Sequence, residues 1–225
     1  MPRELKIMNI CISLMLIATI SIAADFGPNS ATLTHRYFPM KHGDKLIYRS
    51  YGFPQVFEFT IEALSVETIE AVECLKIYSS AAETYYSYYW IAEGILGNLW
   101  LLKEYDSEFN DTIFYGKENA KLIIPKNLSV GTILWQGLPE HVQELVIATG
   151  VTVPVLSTGL GPYYNCVKTK EDWGDGDLDY NYYAPDVGIV KFELNDDGGI
   201  NGLELKEISI GVKAMPWIPL LLLSE

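Results

Sequence analysis

The sequence predicts a mainly β protein: one strongly curved antiparallel sheet or open half barrel, with few short helices. Three observations predict it. Apolar and polar residues alternate with period two along most of the chain, so each run turns one face to a core and one to water. Turn formers break these runs at short intervals, and neighbours this close in sequence are most simply antiparallel. No segment carries the long 3.6-residue pattern that βαβ units need.

The elements follow in order. Phe57, Phe59, Ile61 and Ala63 alternate with Glu58, Thr60 and Glu62, and Glu73 to Ile77 alternates too. Thr84 to Ile91 is nearly all Tyr and Trp, a strand composition. Leu99 to Tyr105 is apolar on both sides and is expected to be buried on both faces. Short runs follow at Phe109–Tyr115 and at Lys121–Ile124, which stops at Pro125. Val142 to Thr149 is a strand whose apolar side is interrupted by Glu144. Val151 to Leu156 is read as a separate edge strand or bulge, because of Gly150 and Pro154. Tyr164–Lys170, Asp179–Tyr183, Gly188–Glu193 and Leu203–Ile210 complete the set, the last two joined by the turn signal Asn195 to Gly199. Leu138 to Gln143 is long enough for one helical turn.

The 225 residues fit one domain and a targeting segment. Arg3 and Lys6 precede an uncharged run from Ile7 to Ile22, and Ser21-Ile22-Ala23 supplies small residues before Ala24 and Asp25. This reads as a signal peptide over 1–23, which implies a periplasmic or secreted protein. A polar leader, expected to be loosely ordered, covers 24–36. The single β-rich domain covers 37–213. An apolar tail, 214–225, contains Trp217 and the run Leu220 to Leu223. The run is too short to span a bilayer, so it packs on its own domain or docks a protein partner.

The net charge of −13 disfavours phosphate backbones, so no nucleic-acid partner is expected. An oxidising compartment would permit one disulfide between Cys74 and Cys166; two separately buried thiols are the alternative. Asp175, Asp177 and Asp179 alternate with glycine and leucine as in short calcium loops, but the spacing is not that of an EF-hand and an ordinary hairpin turn explains it as well. His35, His42 and His141 form no ligand pair, and no glycine-rich phosphate loop or nucleophile elbow is present. No cofactor or catalytic residue is therefore expected. A hydrolase acting through scattered carboxylates such as Glu171 with Asp172, or Glu207, would need two of them close together in a pocket.

Aromatic side chains point instead to binding. Tyr86, Tyr88 and Trp90 share one face of a strand; Trp100, Tyr164 and Tyr182 add to the aromatic surface. The concave side of a curved sheet lined by such rings suits a lipid or another apolar small molecule.

Three stretches also carry a resemblance. Tyr37-Phe38-Pro39 with Gly43 and Tyr48, then Leu128 to Thr132 followed by Trp135, then Tyr183-Ala184-Pro185-Asp186-Val187-Gly188-Ile189-Val190-Lys191 resemble segments of uncharacterised exported bacterial proteins sometimes labelled TapB-like. Tyr164 to Lys168 matches a further stretch around Cys166. That family is similar to the half barrel of periplasmic lipoprotein carriers, which implies one curved antiparallel sheet and no catalytic residues. The chain departs from the carriers in lacking clear helices, and Asp186 stands where the family usually has glycine. The expected function is an exported, non-catalytic binding module holding an apolar ligand on the concave face; the alternative is a structural or assembly partner in the cell envelope.

Overall fold

The computed structural model describes residues 25–81, 85–136, 143–172, 178–196 and 199–210. The signal segment, Asp175, Asp177 and the tail 214–225 lie outside the described residues, as does most of the helical turn expected at 138–143. Among the described residues there are thirteen strands and no helix.

Seven strands form the first half of the chain: β1 (Lys45–Tyr51), β2 (Glu58–Ile69), β3 (Val72–Ala81), β4 (Tyr85–Glu93), β5 (Leu99–Asp106), β6 (Asp111–Phe114) and β7 (Lys121–Ile124). Six form the second: β8 (Ile133–Gln136), β9 (Gln143–Val153), β10 (Tyr163–Asp172), β11 (Leu178–Ala184), β12 (Gly188–Asp196) and β13 (Gly199–Ser209). All belong to one antiparallel sheet in the order β6-β5-β4-β3-β2-β1-β13-β12-β11-β10-β9-β8, with β7 beside β6 on the free edge of β5. Each half is a meander, and β1 and β13 join them at the centre.

This topology forces curvature. The two outer edges are joined by residues 125–132, a link spanning at most about 30 Å when extended. Twelve strands laid flat at roughly 4.8 Å would put those edges far beyond that reach. The sheet therefore curls until Cα atoms of β7 and β8 come within 8 Å, without closing its hydrogen-bond ladder. Bulges help it bend: one at Trp90/Ile91 between β4 and β5, another at Tyr182/Tyr183 between β11 and β12.

The inward face carries the main core. Leu46, Tyr48, Phe59, Ile61, Leu75 and Ile77 come from β1 to β3, and Val146, Val167, Phe192 and Leu205 from the other half. A smaller cluster sits on the outer face of β3 to β5, where Cys74, Trp90, Trp100 and Leu102 pack under Phe26, Ala120 and Leu122. Two covered faces explain why β5 is apolar on both sides.

One expectation is narrowed and another corrected. The run after Gly150 is not a separate edge strand but a bulged continuation of β9 to Val153, so the bulge expected there forms: Thr149 and Val151 face the adjacent residues Val167 and Cys166, and Gly150 between them takes φ +71, which glycine adopts without a Cβ penalty. The leader is not loose either. Ala31, Leu33 and His35 are buried, Phe26 bridges to Gly94, and His35 Nε2 lies 3.0 Å from the Pro125 carbonyl oxygen. Its few apolar side chains reach a sheet face that would otherwise be wet.

The stretches that carry the family resemblance meet in space. The Tyr48 hydroxyl donates to the Ile189 carbonyl (3.0 Å), and the Asp186 N–H donates to the Arg36 carbonyl (2.6 Å). Asp186 itself takes φ +61, so the turn expected there forms without glycine.

Candidate functional site

The interior of the curl is not completely filled. A cavity of about 120 Å³ lies against the inward faces of β2, β3, β4 and β7 on one side and β8 to β12 on the other. Side chains from strands so far apart in sheet order can share a space only on the concave face. Ile61, Ile77, Ile91, Ile123 and Ile124 form an apolar wall, and Phe192 on β12 stands beside Asn181 across from it. The opposite wall is polar: Glu144, Glu171, Asn181, Tyr183 and Trp135, with Ser79 and Tyr89 from the first half.

Strand register builds the polar wall. Glu144 on β9, Glu171 on β10 and Asp179 on β11 are direct cross-strand partners, so three carboxyl groups form one row. Thr169 and Asn181 form the next row. All five side chains are buried. Thr169 Oγ1, Tyr183 Oη and Asn181 Nδ2 all donate to Glu144 Oε1, at 2.6, 2.9 and 3.1 Å. The Trp135 side chain is a further donor to Glu144. Asn181 Nδ2 also lies 3.4 Å from Glu171 Oε2. The amide must point its nitrogen at the two acids, because its oxygen there would meet a carboxylate. Asn181 Oδ1 is thereby turned away and has no partner among the described residues, and neither has Ser79 Oγ.

The two central acids differ in how strongly their surroundings favour the proton. Burial raises the Glu144 carboxyl above its ordinary range, but four donors pull against that rise. Glu171 has no such set. Burial first, then the neighbouring charges of Glu144 and Asp179, push it well above the usual carboxylate range. Of the two, Glu171 is the harder to ionise, because it lacks the donors that hold Glu144.

The residues nominated from sequence are distributed otherwise. Tyr86, Tyr88 and Trp90 alternate with Tyr85, Ser87 and Tyr89 along β4, and it is Tyr89 that lines the cavity. The nominated three face outward. There Tyr78, Tyr86, Tyr88 and Tyr105 pack with ring centroids 5.5–6.1 Å apart. Lys76 lies over Tyr88 at 4.7 Å and Lys103 over Trp90 at 4.2 Å, while the Trp90 indole N–H donates to Glu67 at 2.7 Å. Trp100 is buried in the outer cluster and Tyr164 is exposed. Tyr182 donates to Glu193 at 2.6 Å and carries Lys168 over its ring at 5.0 Å, away from the cavity lining. The concave side is set by the hand of the curl, which alternation within one strand does not encode.

Asp179 is buried and belongs to the acidic row rather than to an open loop. Among the described residues no group of three His, Cys, Asp or Glu side chains is arranged to hold a metal ion. Cys74 and Cys166 are free, buried thiols in separate clusters, so the bridge does not form. Burial pushes the Cys74 thiol up to about 12 and the Cys166 thiol up to about 11. Glu171 is joined by Glu144, not by Asp172, which lies 3.7 Å from Lys170, and not by Glu207, which is exposed. Ser79 and Asn181 were not singled out by sequence. Glu144 left a legible trace, an acid interrupting the apolar side of a strand.

No family model matches the chain, and no curated protein matches it. Two solved structures are similar. One is a presumed exported protein with YMCC-like fold from Bacteroides fragilis, at 15% identity and TM-score 0.46; the other is a presumed lipoprotein from Parabacteroides distasonis, at 13% identity and TM-score 0.42. Each match covers 78% of this chain and 99% of the other.

Proposed function

We propose that this chain is an exported, non-catalytic binding module whose concave cavity receives a small apolar group. The observation that carries the reading is an apolar-walled space left unfilled between strands from both halves of the sheet. Phe38, Trp135, Tyr183 and Ile189, from the three stretches that carry the TapB-like resemblance, all line it. Its size bounds the ligand. An apolar cavity of about 150 Å³ takes one benzene, and pockets for drug-sized ligands run to roughly 300–1,000 Å³. At about 120 Å³ this cavity suits one short alkyl group, not a whole acyl chain. The same limit weighs against a glycoside hydrolase: the Glu144–Glu171 pair supplies two close carboxyl groups, but the space does not admit a scissile sugar bond and its water.

Export rests on residues 1–23. Cleavage before Ala24 or Asp25 spares the first fold contacts, the Asp25 carbonyl with the Ile95 N–H (2.9 Å) and the Phe26–Gly94 bridge. Amino-terminal sequencing of protein recovered from the envelope or medium tests that part. Binding is tested by titrating the mature chain with isobutanol while following isoleucine methyl resonances. Shifts at Ile61, Ile77, Ile91 and Ile123, lost on filling the space with Ile123→Phe, are expected. Unmoved methyls at saturating alcohol would end the binding reading.

A further inference from the structure

We propose that the polar end of the cavity is a recognition site for a primary ammonium group carried on a short branched alkyl body. The proposal rests on the binding-module reading and names its ligand class.

Two independent observations support it. The first is charge without a cation. Two buried carboxyl groups, Glu144 and Glu171, lie opposite each other across β9 and β10, and no Lys, Arg or His lines the cavity among the described residues. The cations nearest in sequence are directed elsewhere: Lys168 lies over the Tyr180 ring at 4.0 Å, and Lys170 is 3.7 Å from Asp172. A buried carboxylate favours a positive partner far more than exposed ones do, because water does not screen it. The second observation is unspent acceptors. Asn181 Oδ1 and Ser79 Oγ are buried, line the same cavity and have no partner among the described residues. Such atoms cost stability unless something satisfies them. With the Glu171 carboxyl they make three acceptors, which matches the three N–H donors of an ammonium head. The isoleucine wall from β2, β3, β4 and β7 then takes the alkyl body. A neutral water could occupy the acceptors but would bring no positive charge to the two buried acids.

Binding would displace a proton. Among the described residues, the titratable groups beside Glu171 are its cross-strand partners Glu144 on β9 and Asp179 on β11, and Tyr183 and Tyr89, which line the same cavity. None is cationic. Burial, then the two neighbouring acids, raise the hold of Glu171 on its proton. An ammonium placed there favours its ionised form, so the proton leaves to solvent as the cation enters.

The test compares isobutylammonium with isobutanol, which shares its alkyl body, by calorimetry on the mature chain at neutral pH. The amine is expected to bind roughly tenfold more tightly. Its heat should change between buffers of different ionisation enthalpy, reporting proton release. In Glu144→Gln, which keeps an acceptor for Thr169, Tyr183 and Trp135, the preference should vanish while isobutanol still binds. Ser79→Ala, a milder change, should weaken the amine roughly fivefold and spare the alcohol. Equal affinity for the two probes, or an amine preference untouched in both variants, overturns the ammonium site and leaves the cavity reading standing. Failure of both probes to bind overturns the binding reading itself.

Discussion

Glu104 offers a quantitative test of how this sheet buries charge. Its side chain on β5 is 6% exposed and accepts a hydrogen bond from the Tyr115 hydroxyl at 2.6 Å. Burial raises its pKa from 4.5 to about 7; the Tyr115 bond and Lys121 oppose the rise, and Asp106 and Asp111 add to it. Below pH 4.5 both folded and unfolded states hold the proton, and nothing is lost. Between 4.5 and about 7 the unfolded chain releases its proton first, so stability falls as pH rises. At about 1.36 kcal/mol per pH unit, the loss over this shift levels off at about 3–4 kcal/mol above pH 7. Lys121 works in another window. Burial lowers its pKa from 10.5 to about 8, against the pull of Glu104, so its contribution recovers only as pH rises from about 8 towards 10.5. Glu104→Gln keeps an acceptor for Tyr115 and removes the titration. Urea unfolding of wild type and variant at half-unit steps from pH 4.5 to 8 measures the difference. The variant should match the wild type at the acid end and gain up to about 3 kcal/mol by pH 7.5. A difference independent of pH would refute the reasoning, since a packing effect does not titrate.

Three further outcomes are expected. Gly202→Ala should cost about 3 kcal/mol in urea unfolding, because its Cβ would stand 2.1 Å from the Phe192 carbonyl oxygen and 2.5 Å from the Tyr51 hydroxyl, and the first is backbone that cannot swing away. Glu144→Leu should destabilise by more than about 3 kcal/mol, since Thr169, Asn181, Tyr183 and Trp135 would lose a common acceptor; Glu144→Gln should cost much less, and differential scanning calorimetry separates the two. Cys74 and Cys166 should stay silent to a thiol reagent in the native protein and both react on unfolding, with mass spectrometry finding two alkylated cysteines and no bridge in the mature chain.

The residues divide by what alternation can report. Lys121 to Ile124 is read correctly to the residue, because Pro125 ends it chemically. The β2, β3 and β4 runs are recognised as strands but read short: β2 continues past Ala63 to Ile69 and β3 past Ile77 to Ala81. At Gly150 the sequence leaves an edge strand and a bulge equally open, because a glycine can end a strand or bend one, and pairing with β10 decides for the bulge. Glu171 is linked to the wrong acid for a geometric reason: Asp172, its sequence neighbour, points to the other face, whereas Glu144 is brought opposite by β9–β10 register. Ser79 and Asn181 carry no local mark, since small polar residues are equally at home on a wet strand face.

What the amino acids alone determined is the strand character, the antiparallel neighbours and the single bent sheet, because a two-residue period and its turn signals are local properties. Which side of that sheet became the interior was decided by the tertiary curl, which carries β7 round to β8. The same curl put the tyrosine ladder outside, placed the two cysteines on opposite faces and gathered Ser79, Glu144, Glu171 and Asn181 around one space. Those residues lie on four strands from both halves of the chain, and only long-range packing brings them together.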